Sequence, residues 1–119
     1  MSFFHGTDSS DVYPHLGFCY TNERVAAECY GDVLYAVEID MDDLVVRDLD
    51  LNNIDTLHYD RNAVGGAVYP GDNDESLDAF EAEGVDVVCY EDEDRNGRMH
   101  WCWRLVSQKA KAACTLRAL

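Results

Sequence analysis

The segment that most constrains the fold is residues 33–39, whose sequence is Val-Leu-Tyr-Ala-Val-Glu-Ile. Val33, Tyr35, Val37 and Ile39 occupy alternating positions, and the first positions between them are also apolar. Successive side chains of a strand point to opposite faces of its sheet, so this alternation predicts a strand. Because both faces are apolar at first, we expect this strand to lie in the interior of a sheet.

Other short strands are predicted before and after this segment. Their apolar or alternating composition places them at residues 2–5, 17–20, 44–49, 85–90 and 99–106. A charged turn at residues 91–97 separates the last two segments and favours an antiparallel hairpin. The chain does not alternate regularly between strand and helix, as a parallel βαβ fold would.

Two segments have the periodicity of helices. The first helix begins after an N-cap at Thr21 or Asn22, and its predicted apolar face consists of Val25, Ala26, Cys29 and Tyr30. The second is predicted at residues 74–83, where Leu77 and Phe80 stand at helical spacing and should face inward. The tail at residues 107–119 is interpreted as either a short helix or a disordered segment.

The predicted fold class is α+β, with a mainly antiparallel sheet and two or three small helices. The chain has 119 residues, a length that suits a single domain spanning residues 1–119. Residues 52–72 are weakly patterned and contain Gly65-Gly66 and Pro70-Gly71, so we predict irregular structure or a mobile loop there.

The charge of the chain limits its partners. Nine basic and 24 acidic residues give a formal net charge of −15. Direct binding to nucleic acid or to an anionic membrane is not expected, because both are negatively charged. The acidity suits either a protein partner with a basic, nucleic-acid-binding surface or solubility alone.

The five cysteines include no Cys-x-x-Cys pair, which disfavours both a zinc site and a disulfide framework. His58 and His100 lack a neighbouring ligand pattern, so no metal site is predicted. The sequence contains no signal-peptide pattern and no apolar run of transmembrane length. The expected location is a reducing cytoplasm, that of a host cell if the protein is phage-encoded.

Three segments carry a family resemblance through their order along the chain. Residues 3–7 are Phe-Phe-His-Gly-Thr, residues 17–22 are Gly-Phe-Cys-Tyr-Thr-Asn, and residues 26–30 are Ala-Ala-Glu-Cys-Tyr, directly before the strand at 33–39. This order resembles the NAD site of ADP-ribosyltransferases of the diphtheria-toxin and poly-ADP-ribose-polymerase type. The resemblance implies an ADP-ribosyltransferase-like fold with NAD as a substrate.

The resemblance assigns His5 and Gly6 to the family's His-Gly pair, followed by Thr7. It implies that His5 hydrogen-bonds the ribose of NAD, as one of the catalytic residues, and that the Gly6 backbone holds the nicotinamide amide. Two tyrosines of the family stack on the cationic nicotinamide ring. Tyr30 stands at the spacing of the second one.

The first tyrosine of the family is displaced in this chain. Cys19 occupies its position, and Tyr20 comes one residue later. A shift of one residue turns a strand side chain to the opposite face. Tyr20 can therefore replace the family tyrosine only where a bulge re-aims it.

The family also uses a catalytic glutamate that stabilises the oxocarbenium-like transition state as nicotinamide leaves. Glu91, at the end of the strand at 85–90, is the predicted source of this carboxylate, and Glu75 on the preceding helix is the alternative. Arg24 and Arg61 are the candidates to offset the charge of the NAD diphosphate.

Two functions from different classes follow. The small size and acidity resemble compact phage-encoded anti-CRISPR proteins that are ADP-ribosyltransferases, which implies NAD-dependent modification of a protein in a host defence complex. The alternative is a non-catalytic inhibitor on the same fold, whose acidic face occupies a nucleic-acid-binding surface by DNA mimicry.

Overall fold

A computed structural model describes residues 2–49 and 74–119 of the chain, so the prediction for residues 52–72 lies outside the described residues. Seven strands and three helices follow one another in the described part. They are β1 (Phe3–Thr7), β2 (Cys19–Thr21), α1 (Arg24–Glu28), β3 (Val33–Ile39), β4 (Val46–Asp48), α2 (Asp74–Ala82), β5 (Val87–Glu93), β6 (Met99–Leu105), α3 (Gln108–Ala113) and β7 (Cys114–Ala118).

All seven strands form one sheet in the order β4-β5-β6-β2-β1-β3-β7. Five neighbouring pairs are antiparallel, and β4 is parallel to β5 with Val46 opposite Val87. The α+β prediction is confirmed as a mixed, mostly antiparallel sheet with three small helices. The strand predicted at 33–39 is β3, and it lies between β1 and β7 as expected for an interior strand.

Each face of the sheet carries its own buried cluster, because side chains alternate along the strands. The first face holds Phe3, Phe18, Tyr20, Val37, Val87, Cys89, Trp103, Leu105, Ala110 and Cys114. The second face holds Leu49, Phe80, Val85, Val88, Tyr90, Cys102 and Val106. Burying one large apolar side chain contributes about 1.5–3 kcal/mol, so these clusters supply the main driving force for folding.

The helices pack on these faces through a few alanine and phenylalanine side chains. Ala110 of α3 joins the first cluster, and Phe80 of α2 joins the second with none of its surface exposed. Ala27 of α1 lies directly against Gly6 of β1. In the described part of the chain, each helix is too short and too polar to cross a lipid bilayer.

A buried carboxylate fixes the start of β5. One oxygen of Asp86 accepts a hydrogen bond from the Val45 backbone N–H at 2.8 Å, and the other accepts from Ser107 Oγ at 2.7 Å. Ser107 Oγ in turn accepts from the Ala110 N–H at 3.0 Å and so caps α3. A buried polar group is costly unless it is hydrogen-bonded, and both oxygens of Asp86 meet that requirement.

Two local predictions were wrong, and a third was right only in part. Helix α1 begins after Glu23, while Thr21 Oγ1 instead accepts a hydrogen bond from the Glu23 N–H at 3.2 Å. Val25 of the predicted inward face is 53% exposed, because Ala26 and Ala27 make the contact with the sheet. The tail at 107–119 contains the predicted short helix as α3, but residues 114–118 form an edge strand paired with β3.

Candidate functional site

A cavity of about 420 Å³ lies on the second face of the sheet. Side chains and backbone of β1, β2, β5 and β6 border it, together with Tyr30, which follows α1, and the turn between β5 and β6. Its volume falls within the usual range for sites that bind small molecules. Residues 4–6 of β1 and residues 92–104 of the β5–β6 hairpin contribute to it, so the cavity depends on the long-range pairing of the central strands.

His5 borders this cavity, but strand alternation places its ring on the first face of the sheet together with Phe3. Its Nδ1 lies 2.6 Å from the carbonyl oxygen of Cys19, and its ring centroid lies 4.3 Å from that of Phe18. A carbonyl oxygen only accepts, so Nδ1 carries a proton and Nε2 of the neutral ring is an acceptor. Burial lowers the pKa of His5 below 6.5, which favours this neutral form.

The two residues after His5 differ in their relation to the cavity. Gly6 borders it, whereas Thr7 at the end of β1 is not one of the residues that line it. Thr7 Oγ1 accepts a hydrogen bond from the Ser9 N–H at 3.2 Å and begins the following turn. Thr7 therefore shapes the chain after β1.

Tyr20 lies at the cavity wall with its ring directed to the other face of the sheet. Residues 19, 20 and 21 pair with β6 in regular register, and no bulge interrupts this pairing. The Tyr20 ring packs 5.1 Å from Phe3 and stacks 6.2 Å from Trp103, and its hydroxyl donates to Met41 Sδ at 3.3 Å. Stacking of Tyr20 on a ligand in the cavity would require the ring to leave the first-face cluster.

Phe4 and Tyr30 both border the cavity, and Tyr30 also contacts a basic side chain. The guanidinium carbon of Arg95 lies 5.3 Å from the centre of its ring, which is within cation–π distance. Burial, with a further contribution from the nearby Asp92 carboxylate, raises the pKa of Tyr30 to about 12. A neutral phenol ring beside a guanidinium group is suited to hold a flat, polar ligand.

The turn that carries Arg95 is held by Asp94. One carboxylate oxygen of Asp94 accepts hydrogen bonds from the backbone N–H groups of Asn96 and Arg98, at 2.8 and 3.0 Å. These bonds, above all the one from Arg98, keep the pKa of Asp94 low. Asn96 Nδ2 lies 3.2 Å from Cys29 Sγ, so the turn also contacts the end of α1 next to Tyr30.

Three acidic residues border the cavity: Asp92, Glu93 and Asp94. Strand β5 continues to Glu93, three residues beyond the predicted end, and Asp92 lies opposite His100 of β6. Glu91 lies opposite Trp101, is exposed, and is not among the residues that line the cavity. Strand alternation explains this difference, because Asp92 shares the second face with Tyr90. Glu75 lies in α2, and its side chain is outside the part that the structure describes.

No known protein family, curated protein or solved structure matches this chain. The chemistry of the cavity is therefore inferred from its own residues.

Two basic residues that sequence patterns did not indicate border the cavity. They are Arg95 in the turn and Arg104 on β6. Arg104 Nε donates to the Tyr90 hydroxyl at 3.1 Å. The predicted basic residue Arg24 instead forms an exposed ion pair with Glu28, and Arg61 lies outside the described residues. No local motif marks Arg95 or Arg104, because only the pairing of β5 with β6 and of β6 with β2 brings them to the site.

Proposed function

We propose that this protein is an NAD-dependent mono-ADP-ribosyltransferase that modifies another protein. One observation carries the proposal: Gly6, Tyr30 and Asp92, from three separate parts of the chain, border a single cavity of ligand-binding size. They provide a strand backbone, an aromatic face and a carboxylate. These are groups that the resemblance to ADP-ribosyltransferases implies, with Asp92 in place of the predicted glutamate.

Each residue has a role that its surroundings support. Tyr30 supplies the surface on which the nicotinamide ring stacks, and the Gly6 backbone holds the nicotinamide amide, as the resemblance implies. The His5 ring lies on the first face beside Phe18, so it fixes the chain at Cys19 rather than contacting the ribose. The carboxylate of Asp92 stabilises positive charge that develops on the ribose carbon as nicotinamide leaves. Tyr20 takes no part, because its ring is buried on the other face.

The diphosphate of NAD requires positive charge in a chain whose net charge is −15. Arg95 and Arg104 border the cavity beside Asp92, Glu93 and Asp94, and they are the basic side chains of its lining that can pair with the diphosphate. A guanidinium group also offers paired donors that suit phosphate oxygens. The residues that line the cavity therefore fit NAD.

The target that we propose is a protein whose basic surface binds nucleic acid, such as the DNA-reading part of a host defence complex attacked by a phage inhibitor. Acidic side chains are exposed across the described residues, including Glu91 and Glu93 at the end of β5 beside the cavity. Charge complementarity would speed association with such a target and bring its surface to Asp92.

The test compares two neighbouring carboxylates. The protein is incubated with NAD and a host lysate, and ADP-ribose on target proteins is measured by mass spectrometry. Asp92→Asn should reduce labelling by about a hundredfold or more, whereas Glu91→Gln should leave most of it. Labelling that survives Asp92→Asn and disappears with Glu91→Gln would instead support the carboxylate predicted from the sequence.

A second candidate is a non-catalytic acidic module that blocks a nucleic-acid-binding surface. The exposed acidic side chains favour it, among them Asp40, Asp42 and Asp43 after β3. This module would inhibit its target without NAD, at equimolar amounts, and less strongly as the salt concentration rises. Inhibition of this kind that is unchanged in Asp92→Asn would exclude the enzymatic proposal.

A further inference from the structure

Two thiols meet in the wall of the cavity. Cys19 Sγ on β2 and Cys102 Sγ on β6 lie 3.2 Å apart. The two residues are diagonal neighbours on adjacent strands, since Cys19 pairs with Arg104 and Cys102 pairs with Thr21. Both side chains lie on the second face, where Cys19 is partly exposed and Cys102 is 6% exposed.

The surroundings of Cys19 and Cys102 give the two thiols different pKa values. The two thiols share a hydrogen bond in which either sulfur can donate. The interaction with Cys102, together with the nearby Arg104 guanidinium, lowers the pKa of Cys19. The same interaction and burial raise the pKa of Cys102. Cys19 is therefore the better nucleophile of the two, and it is also the more accessible one.

A buried histidine stands beside the second thiol. His100 Nε2 lies 3.5 Å from Cys102 Sγ, and His100 is only 3% exposed. Within residues 2–49 and 74–119, its Nδ1 has no hydrogen-bond partner. His100 is thus placed to accept the proton that Cys102 must lose before it can react.

The other three thiols are in different surroundings. Burial raises the pKa of Cys89 to about 12 and that of Cys114 to about 11. Cys29 Sγ contacts the Val25 carbonyl oxygen and Asn96 rather than a second sulfur atom. These thiols serve as internal references for the reactivity of Cys19 and Cys102.

We propose that Cys19 and Cys102 form a redox-active dithiol that low-molecular-weight disulfides oxidise to an intramolecular disulfide. The Cys19 thiolate attacks one sulfur of the small disulfide, forms a mixed disulfide and releases one small thiolate, which takes up a proton. Cys102 passes its proton to His100, and its thiolate attacks Cys19 Sγ and releases the second small thiolate, which takes up the proton from His100. Two protein thiols are oxidised, and one small disulfide is reduced to two thiols.

The geometry requires little movement. A disulfide bond is about 2.05 Å long, so the two sulfur atoms, now 3.2 Å apart, must approach by roughly 1.2 Å. The bond would join β2 to β6 across the cavity wall. This proposal stands independently of NAD binding, because it concerns the thiols alone.

The sequence allows a direct test by peptide mapping. Trypsin cleavage after Lys and Arg places each of the five cysteines on its own peptide, with Cys19 in residues 1–24 and Cys102 in residues 99–104. The folded protein is incubated with oxidised glutathione, alkylated, digested and analysed by mass spectrometry. The expected product is a link between these two peptides that dithiothreitol reverses, with the whole protein about 2 Da lighter.

Serine variants distinguish Cys19, which attacks the small disulfide, from Cys102, which resolves the mixed disulfide. Cys102→Ser should accumulate a mixed disulfide between glutathione and Cys19, because the second thiol that resolves it is absent. Cys19→Ser should leave Cys102 alkylated and unlinked, and the control Cys29→Ser should still form the link. Absence of the link in the wild-type protein, or preferential links to Cys29, Cys89 or Cys114, would overturn the proposal. The wild-type map gives this answer even where a serine variant fails to fold.

Discussion

Gly6 of β1 lies so close beneath α1 that a β-carbon at this position would stand 1.7 Å from the carbonyl oxygen of Ala27. This contact lets α1 lie directly on the sheet and thereby sets the position of Tyr30, two residues after the helix ends. The glycine of the His-Gly pair therefore has a packing role that does not depend on a ligand. The same residue also borders the cavity.

Replacement of Gly6 by alanine should lower the free energy of unfolding by about 3 kcal/mol, at the upper end of the range for overpacking. The new methyl group would overlap the backbone of Ala27, which can move only if α1 lifts from β1. Urea unfolding followed by circular dichroism measures this loss. The comparison variant Gly84→Ala has open space but a φ of +75°, so it should lose only about 1–2 kcal/mol. Equal losses of unfolding free energy in Gly6→Ala and Gly84→Ala would contradict the close contact between Gly6 and Ala27.

Ser107→Ala should lower the free energy of unfolding by about 2 kcal/mol. The substitution removes the N-cap of α3 and one donor to the buried carboxylate of Asp86. Thermal unfolding measures the effect, and Ser9→Ala, at an exposed turn, should cost less than about 0.5 kcal/mol. Asp86→Asn combined with Ser107→Ala should cost less than the sum of the single changes, because the two residues share a hydrogen bond.

His5 should make stability depend on pH near neutrality. Burial lowers its folded-state pKa below 6.5, and this effect outweighs the hydrogen bond to Cys19, which acts in the opposite direction. The unfolded chain therefore binds a proton more readily, so the contribution of His5 is fully present above pH 6.5 and is lost as the pH falls below it.

The measurement is chemical unfolding of the wild type and of His5→Gln between about pH 7.5 and pH 5.5. The difference between the two proteins should change in favour of the variant as the pH falls. Taking the difference cancels the titration of groups common to both chains. A difference that stays constant over this range would show that the folded-state pKa of His5 is not lowered.

Arg95→Gln should weaken NAD binding by about tenfold, since it removes a cation beside Tyr30 and at the edge of the cavity. The increase of Tm with NAD concentration reports this affinity, because a ligand that binds the folded state stabilises it. Arg98→Gln, on the same turn but away from the cavity lining, is the matched control and should retain wild-type affinity. Equal weakening by both substitutions would indicate a general effect of charge.

Local patterns predicted much of the fold. The alternation at 33–39 gave a strand with the observed bounds, and the periodicity at 74–83 gave α2 with Phe80 buried. The charged segment between two alternating runs predicted the β5–β6 hairpin. In each case, the side chains that decide the structure are close neighbours in the sequence.

Structure that depends on distant partners was not predictable in the same way. Strand β7 has only Cys114 buried and shows no clear alternation, and it forms because its backbone pairs with β3. Trp101 has the same strand alternation as the buried Trp103, but it is 43% exposed, opposite Glu91 at the end of the hairpin.

The candidate site likewise contains residues that a local motif indicated and residues that only the folded sheet brings to it. The motif at residues 3–7 directed attention to His5 and Gly6, which border the cavity. The three-residue extension of β5 beyond position 90 places Asp92 in the site instead of Glu91. Extended alternation over residues 87–93 could have indicated that neighbouring acids point to opposite faces.

The strand order has a consequence for synthesis of the chain. Strand β2 lies between β1 and β6, so the first cavity residues to be made cannot complete the cavity until residues 99–105 pair with β2. Contacts between such distant segments form late, because a long loop must close before they contribute stability. A ribosome that has translated the His-Gly motif and Tyr30 therefore carries a nascent chain without a cavity. The cavity forms only after residues 99–105 have left the ribosome and paired with β2.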